Sequence, residues 1–304
     1  NAIVAGGIPL ATGAAYAEKF KASGNIIVCF FGDGAANQGS FHEALNLAGL
    51  WDLPIIYFIE NNEYAVGTAA ENAAAVSDIS LRASSYNMTG RIVDGDDVVA
   101  MYETMKECAE MTRSGNGPCI IEAKCYRHYH HAGDQPGSSY GYRDKAEEEK
   151  WLKKDAVKTF PNALQKNGVL TGEEVEHIRK MAKEAVDQAL EFCTTGKDRC
   201  QVREELWPDP ATATEGMRSD GKELEGLTYS EKEDFDQFEE VRFSDGISAA
   251  IGHWMEKDEN VMIFGEEVAN FGGGAYGATK GLPAKYPERI INTPISEAGF
   301  VGLT

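Results

Sequence analysis

Two short apolar runs constrain this chain more than any other feature. They are Asn25–Phe31 (NIIVCFF) and Leu53–Glu60 (LPIIYFIE). Neither alternates polar with apolar residues, so each reads as a strand buried on both faces, as in a parallel sheet covered by helices. Between them Phe41, Ala44, Leu45 and Ala48 recur at the spacing of one helix face. A third run, Gly117–Cys125 (GPCIIEAKC), follows a helical pattern near residues 96–113. This strand–helix alternation implies an α/β fold, a doubly wound, mainly parallel sheet. The first run ends in Gly32-Asp33-Gly34 and the second in Asn61-Asn62, with 26 residues between Gly34 and Asn61.

The pattern breaks and restarts further on. Thr171 and Glu174 have capping-box spacing, and Val175, Ile178, Ala182, Ala185, Val186 and Ala189 mark one face of the helix they open. Residues 201–240 then carry 13 acids against four bases, as expected of a solvated acidic linker or, less simply, a docking segment. Beyond it Ile247, Ala250, Ile251, Trp254 and Met255 fit a helix, and NVMIFGEEV and RIINTPISE fit two strands ending on acids. The expected organisation is a first α/β domain over 1–200, a linker over 201–240 and the start of a second, similar domain over 241–304. The chain opens on Asn1 and both ends look cut within an element. It therefore reads as an internal fragment, and it says nothing of targeting.

Composition narrows the function. A formal charge of −20 argues against a nucleic-acid partner. No apolar stretch reaches the roughly 20 residues of a membrane span. The six cysteines, at 29, 108, 119, 125, 193 and 200, form no CxxC pair, so a zinc site or disulfide framework is not indicated.

In open parallel sheets, ligands bind beyond the carboxyl ends of the strands. Asp33 and Asn62 both fall there and are hard oxygen donors, which suit Mg²⁺ together with phosphate oxygens. Gly34 would let a phosphate approach the backbone at the start of a helix. Gly-Asp-Gly alone could be an ordinary turn; its pairing with Asn-Asn at the next strand end favours a metal-bridged diphosphate site.

The stretch GDGAANQGSFHEALNLAGLWDLPIIYFIENNEYAVGT resembles the decarboxylating component of 2-oxo acid dehydrogenase complexes, with its thiamine diphosphate fingerprint. GPCIIEAKCYR, the histidine cluster and YRDKAEEEKW continue the likeness through its α subunit, and residues 241–300 resemble the start of its β subunit. The chain is thus similar to a fused α–β form. The resemblance implies the thiamine diphosphate-binding fold and two cofactors, thiamine diphosphate and Mg²⁺. By that resemblance Asp33, the Asn62 side chain and the Tyr64 carbonyl are metal ligands, and Gly34 and Ala35 hold the diphosphate through backbone N–H groups. Ala2 and Val4 match the segment that meets the aminopyrimidine. Glu297 matches the glutamate that hydrogen-bonds that ring and promotes loss of the thiazolium proton, and Glu266 matches a second nearby acid.

His128, His130 and His131 are too close in sequence for good metal geometry. The resemblance instead places His131 over the thiazolium, with His130 where glycine is usual and Ala132 where animal pyruvate enzymes carry a phosphorylated serine. Arg127 and Arg143 read as loop anchors or plain surface arginines, and Glu43 as a member of a structural ion pair. The implied reaction is oxidative decarboxylation of a 2-oxo acid with acyl transfer to a lipoyl group. Branched-chain acids are slightly favoured, with pyruvate and acetoin open. A transketolase-like enzyme and a catalytically silent scaffold are the alternatives. The implied partners are a lipoyl-bearing dihydrolipoyl acyltransferase core and a second copy of the fused chain, with no nucleic acid and no membrane. Location in a bacterial cytoplasm or a mitochondrial matrix is what the family implies.

Overall fold

The computed structural model describes residues 3–196, 201–209, 234–237, 239–270, 272–274 and 276–304. Most of the expected acidic linker, and Ala2, lie outside the described residues. Two compact units are present: Asn1–Phe160 with Val241–Thr304, and Pro161–Glu240.

In the first unit, α1 (Gly7–Phe20) leads into β1 (Ile27–Gly32), α2 (Gly39–Leu50) and β2 (Ile55–Asn61). A two-residue hairpin follows, β3 (Tyr64–Ala65) with β4 (Thr68–Ala69), and then β5 (Thr89–Asp94), α3 (Val98–Arg113), β6 (Cys119–Lys124) and α4 (Lys145–Leu152). Strands β1, β2, β6 and β5 form one sheet in that order, with every pair parallel. The continuous apolar runs explain why. Along β2, Ile55, Tyr57 and Ile59 pack into a core with residues of α1 and α2, while Ile56 and Phe58 pack with Cys119, Ile121 and Cys108 on the other side. Both faces are covered, so both residue parities must be apolar. The helix face Phe41, Ala44, Leu45 and Ala48 is fully buried, as its spacing implies. Tyr57 keeps its hydroxyl paired inside this core, 2.7 Å from the Thr12 hydroxyl and 3.4 Å from the Ala44 carbonyl.

Two elements were not expected. Strand β5 reads Thr-Gly-Arg-Ile-Val-Asp, too polar for a buried-strand signature; it is one of the two edge strands of the sheet among the described residues, and only its Val93 is buried. Helix α1 contains Gly7, Pro9 and Gly13, poor helix formers, and its helicity is supported by packing rather than propensity.

In the second unit, α5 (Ala156–Lys166), which begins before its boundary, is followed by α6 (Gly172–Cys193) and a hairpin of β7 (Thr194–Thr195) with β8 (Gln201–Val202). The capping box is present. Thr171 Oγ1 accepts from Glu174 N at 3.2 Å, and Thr171 N donates to Glu174 Oε2 at 2.7 Å. Of the apolar face expected on this helix only Val175 is buried, and Ile178 and Val186 are exposed. Thr171→Ala is expected to cost about 1 kcal/mol, read as an earlier urea midpoint. An unchanged midpoint would show the box to be redundant.

The remainder of the first unit is α7 (Phe243–Lys257), β9 (Ile263–Glu266), α8 (Leu282–Lys285), β10 (Ile290–Thr293) and α9 (Glu297–Leu303). Strands β9 and β10 pair in parallel. Phe264 of β9 meets Tyr16 edge-on at 5.1 Å, and α9 packs on α1 and α2. The helices touch closely because glycines line the contact: a Cβ on Gly13 would lie 2.1 Å from the Leu303 carbonyl oxygen.

Candidate functional site

The parallel register sets the site. Gly32 of β1 stands beside Glu60 of β2, and Asn61 of β2 beside Lys124 of β6. The residues that follow these strands therefore emerge side by side on the carboxyl edge of the sheet. Asp33 is one of them. It is 3% exposed, and it opens a turn of 3₁₀ helix over Asp33–Asn37. Burial pushes its carboxyl pKa up; its own backbone N–H, the Arg127 guanidinium and the Asn62 N–H pull the other way. A buried acid facing amide N–H groups is poised for a cation or for a further donor.

The two asparagines divide the work. Asn61 is buried, donates its Nδ2 to Glu122 Oε1 at 2.7 Å and accepts from Glu63 N at 3.2 Å. It locks the strand end. Asn62 is half-buried, and its Oδ1 accepts from Tyr64 N at 3.2 Å, leaving a second lone pair on that oxygen. Glu63 and Val66, at φ 70° and 57°, turn the chain back into the β3–β4 hairpin. Gly34 is required by this hairpin, since a Cβ there would lie 2.6 Å from Ala65 Cβ. Asp33, Gly34, Asn62 and Tyr64 are thereby held in one place.

Two arginines fasten the histidine loop to this place. Arg127 donates to the Tyr64 carbonyl at 3.0 Å, the Val66 carbonyl at 2.6 Å and the Tyr142 hydroxyl at 3.1 Å. Arg143 is buried, with its guanidinium 4.9, 5.0 and 5.1 Å from the ring centroids of Tyr64, Tyr126 and Tyr142. It also donates to the carbonyls of Arg127 and Tyr129. The planar fork and the weak hydration of guanidinium suit such a stacked, multiply bonded position. Both arginines are anchors, and neither is a plain surface residue. The Tyr64 hydroxyl donates to Glu147 at 2.9 Å, and burial first, then that carboxylate, raises its pKa.

The histidines do not converge. His130 stacks on Tyr140 at 4.2 Å and bonds the Tyr142 hydroxyl, while His128 meets Tyr126 edge-on. His131 is exposed in the loop that Arg127 and Arg143 tie down. Among the described residues no group of three or more His, Cys, Asp or Glu side chains is placed to hold a metal. A cation at this site would depend on the mixed oxygen set of Asp33, Asn62 and a backbone carbonyl.

Val4 and Ala35 are brought together on a cleft of about 310 Å³ that also takes in Gly32 and Phe31. Glu266 closes β9 and Glu297 opens α9, and neither is a hydrogen-bond partner of Asp33, Asn62 or Tyr64. Sequence reasoning passed over Glu122, which is fully buried and accepts from Asn61, Lys124 and the Ser80 N–H. The signal was a single acid inside the apolar run GPCIIEAKC.

Comparison with known proteins fits this geometry. Residues 1–199 match the family model described as dehydrogenase E1 component, and residues 239–304 match that of the transketolase pyrimidine binding domain. The α subunit of acetoin:2,6-dichlorophenolindophenol oxidoreductase from Bacillus subtilis is 42% identical over 193 residues, 63% of this chain and 56% of that one. The pyruvate dehydrogenase E1 component α subunit of Rickettsia bellii is 36% identical over 192 residues, covering 63% and 58%. A mitochondrial pyruvate dehydrogenase E1 α subunit of Ascaris suum is 36% identical over 198 residues, covering 65% and 49%. The chain thus spans about half of the length of these relatives. With a parallel sheet carrying Asp33 and Asn62 on its carboxyl edge and a family match over its first 199 residues, the chain belongs to the dehydrogenase E1 component family.

Proposed function

We propose that this protein is a thiamine diphosphate-dependent 2-oxo acid dehydrogenase that passes its acyl product to a lipoyl group. The observation that carries this reading is the buried Asp33 carboxylate facing the Asn62 backbone N–H, at adjacent parallel strand ends in a chain of this family.

The residues fit the cofactor and its metal. Asp33, the second lone pair of Asn62 Oδ1 and the Tyr64 carbonyl would supply three oxygens to Mg²⁺; Arg127 occupies one of the two lone pairs of that carbonyl. Gly34 and Ala35 would give backbone N–H groups to the diphosphate. Val4, on the cleft with Ala35, would border the aminopyrimidine; Ala2 lies outside the described residues. Thiamine diphosphate, when bound, supplies the ring that accepts the electron pair released with CO₂. Glu297 would take and return a proton at its carboxylate, with Glu266 as a second acid. His131 would donate a hydrogen bond to the substrate oxygen as charge develops there. The Arg127–Arg143 anchoring would hold its loop in place.

The partners proposed are a lipoyl-bearing acyltransferase core, for which the charge of −20 offers electrostatic complementarity to a basic binding surface, and a second fused chain. The substrate reading keeps a slight lean to branched-chain acids, and the names of the relatives set pyruvate and acetoin beside them. Steady-state assays of the full-length protein with 3-methyl-2-oxobutanoate, pyruvate and acetoin, with and without lipoyl acceptor, test it. Turnover of an oxo acid that needs thiamine diphosphate, Mg²⁺ and the lipoyl acceptor is the expected result. Turnover of ketose phosphates alone would move the reading to a transketolase-like enzyme, and no cofactor binding at all to a silent scaffold.

A further inference from the structure

Helix α9 starts without a cap of its own. Its N-cap residue, Ser296, makes no side-chain capping bond. The first-turn N–H groups of a helix need acceptors from elsewhere. Glu43 of α2 supplies one: Gly299 N donates to Glu43 Oε2 at 2.7 Å, across 256 residues of sequence. Gly299 is the third residue of α9, and the amide of that position is one that a capping side chain ordinarily takes. Glu43 thus stands in space where a Ser, Thr or Asp cap would stand in sequence.

The packing around this bond leaves little slack. A Cβ on Gly299 would lie 3.1 Å from Leu47 Cδ1 and 3.2 Å from Glu43 Cβ, and one on Gly302 would lie 2.6 Å from Pro9 Cβ. Both ends of α9 are therefore seated, by Glu43 and Leu47 at its start and by Gly13 and Pro9 near its end. The first residue of the helix so seated is Glu297.

We propose that Glu43 is a positioning residue for Glu297: by capping α9 from α2, it fixes the first turn that carries the Glu297 carboxylate. The proposal rests on the role given to Glu297 under the proposed function. It differs from the ion pair that the sequence suggests for Glu43, because what matters here is an acceptor oxygen and not a charge.

The test compares Glu43→Ala with Glu43→Gln in the full-length protein, by two readouts. The first is amide hydrogen exchange over residues 297–303 in cofactor-free protein. Loss of the cap is expected to speed exchange at the start of α9 by about fivefold in the Ala variant. The Gln variant, whose amide oxygen also accepts, should stay within about twofold of wild type. The second readout is kinetic. The Ala variant should lose kcat by roughly five- to tenfold, while its affinity for thiamine diphosphate with Mg²⁺, set chiefly at Asp33, falls by no more than the few-fold of the one ring hydrogen bond given to Glu297. Unchanged exchange in the Ala variant would overturn the cap. A Gln variant as impaired in kcat as the Ala variant would overturn the positioning role in favour of one for the charge or proton. Altered exchange in a protein that turns over no oxo acid would overturn the assignment of Glu297 while leaving the cap standing.

Discussion

Asp33→Ala is expected to abolish Mg²⁺-dependent binding of thiamine diphosphate, raising its dissociation constant by more than about 100-fold. Even groups outside the first coordination sphere cost 10- to 100-fold in metal affinity when lost, and Asp33 is the only carboxylate in the proposed ligand set. Asp33 is 3% exposed, and burial already disfavours its ionised form. A divalent cation would offset that penalty; without it, the carboxylate has only amide N–H groups and the field of Arg127. Two consequences can be separated experimentally. Cofactor-free Asp33→Ala should melt at the wild-type temperature or slightly above it, since a costly buried charge has gone. Wild type should gain stability from saturating cofactor and Mg²⁺, about 2.7 kcal/mol at 100 times the dissociation constant, and the variant should gain none. Calorimetry of both proteins with Mg²⁺ and with EDTA reads the same difference directly. Binding by the variant within a few-fold of wild type would remove Asp33 from the metal site.

The sequence made some of this readable and hid the rest, for physical reasons that differ by element. Strand β2 and the helix before it were plain because burial on both faces demands an unbroken apolar run, and Phe41, Ala44, Leu45 and Ala48 had to face one way; β1 is as apolar, although it is an edge strand with Phe30 exposed. The strand-end position of Asp33 and Asn62 followed from the same reading. Strand β5 was hidden by its incomplete burial, which leaves Thr89, Gly90 and Arg91 partly exposed and lets them be polar. Helix α1 was hidden because Gly13, unfavourable for a lone helix, is what admits the Leu303 carbonyl. Glu43 and Glu122 were hidden in a deeper sense. A carboxylate in a local sequence does not say which distant donor it will meet, and these two meet Gly299 and Asn61, 256 and 61 residues away.

Glu122 carries the second large effect, and it acts on stability rather than chemistry. Its carboxylate is 0% exposed and accepts three hydrogen bonds, from Asn61 Nδ2 at 2.7 Å, Lys124 Nζ at 2.7 Å and Ser80 N at 2.8 Å. Burial works against the Lys124 ammonium, but Glu122 and Asp78 outweigh it and hold its pKa above the ordinary 10.5. Truncation to Ala would leave the Asn61 amide and the Ser80 N–H unpaired in the core and Lys124 short of its strongest partner. Breaking a buried pair from one side costs roughly 3–5 kcal/mol; because Lys124 keeps some exposure and Asp78, about 3 kcal/mol is expected. That is a fall of roughly 10 °C in melting temperature for a chain of this size. Glu122→Gln keeps an acceptor and the shape, so it should lose less than half as much. The Lys124 pKa fixes the pH dependence. A cation whose folded pKa is raised contributes fully below its unfolded value and is lost as pH rises through the folded one. The gap between wild type and Glu122→Ala should therefore be level across neutral pH and narrow only above about 10.5, where the Lys124 contribution is lost and that of Asn61 and Ser80 remains. Because Asn61 precedes Asn62, the Ala variant should also bind thiamine diphosphate with Mg²⁺ more weakly under conditions where it remains folded, about tenfold by analogy with groups behind metal ligands. A loss of under 1 kcal/mol in urea titration, or a gap that closes near neutral pH, would mean that this network does not hold the strand end on which the site is built.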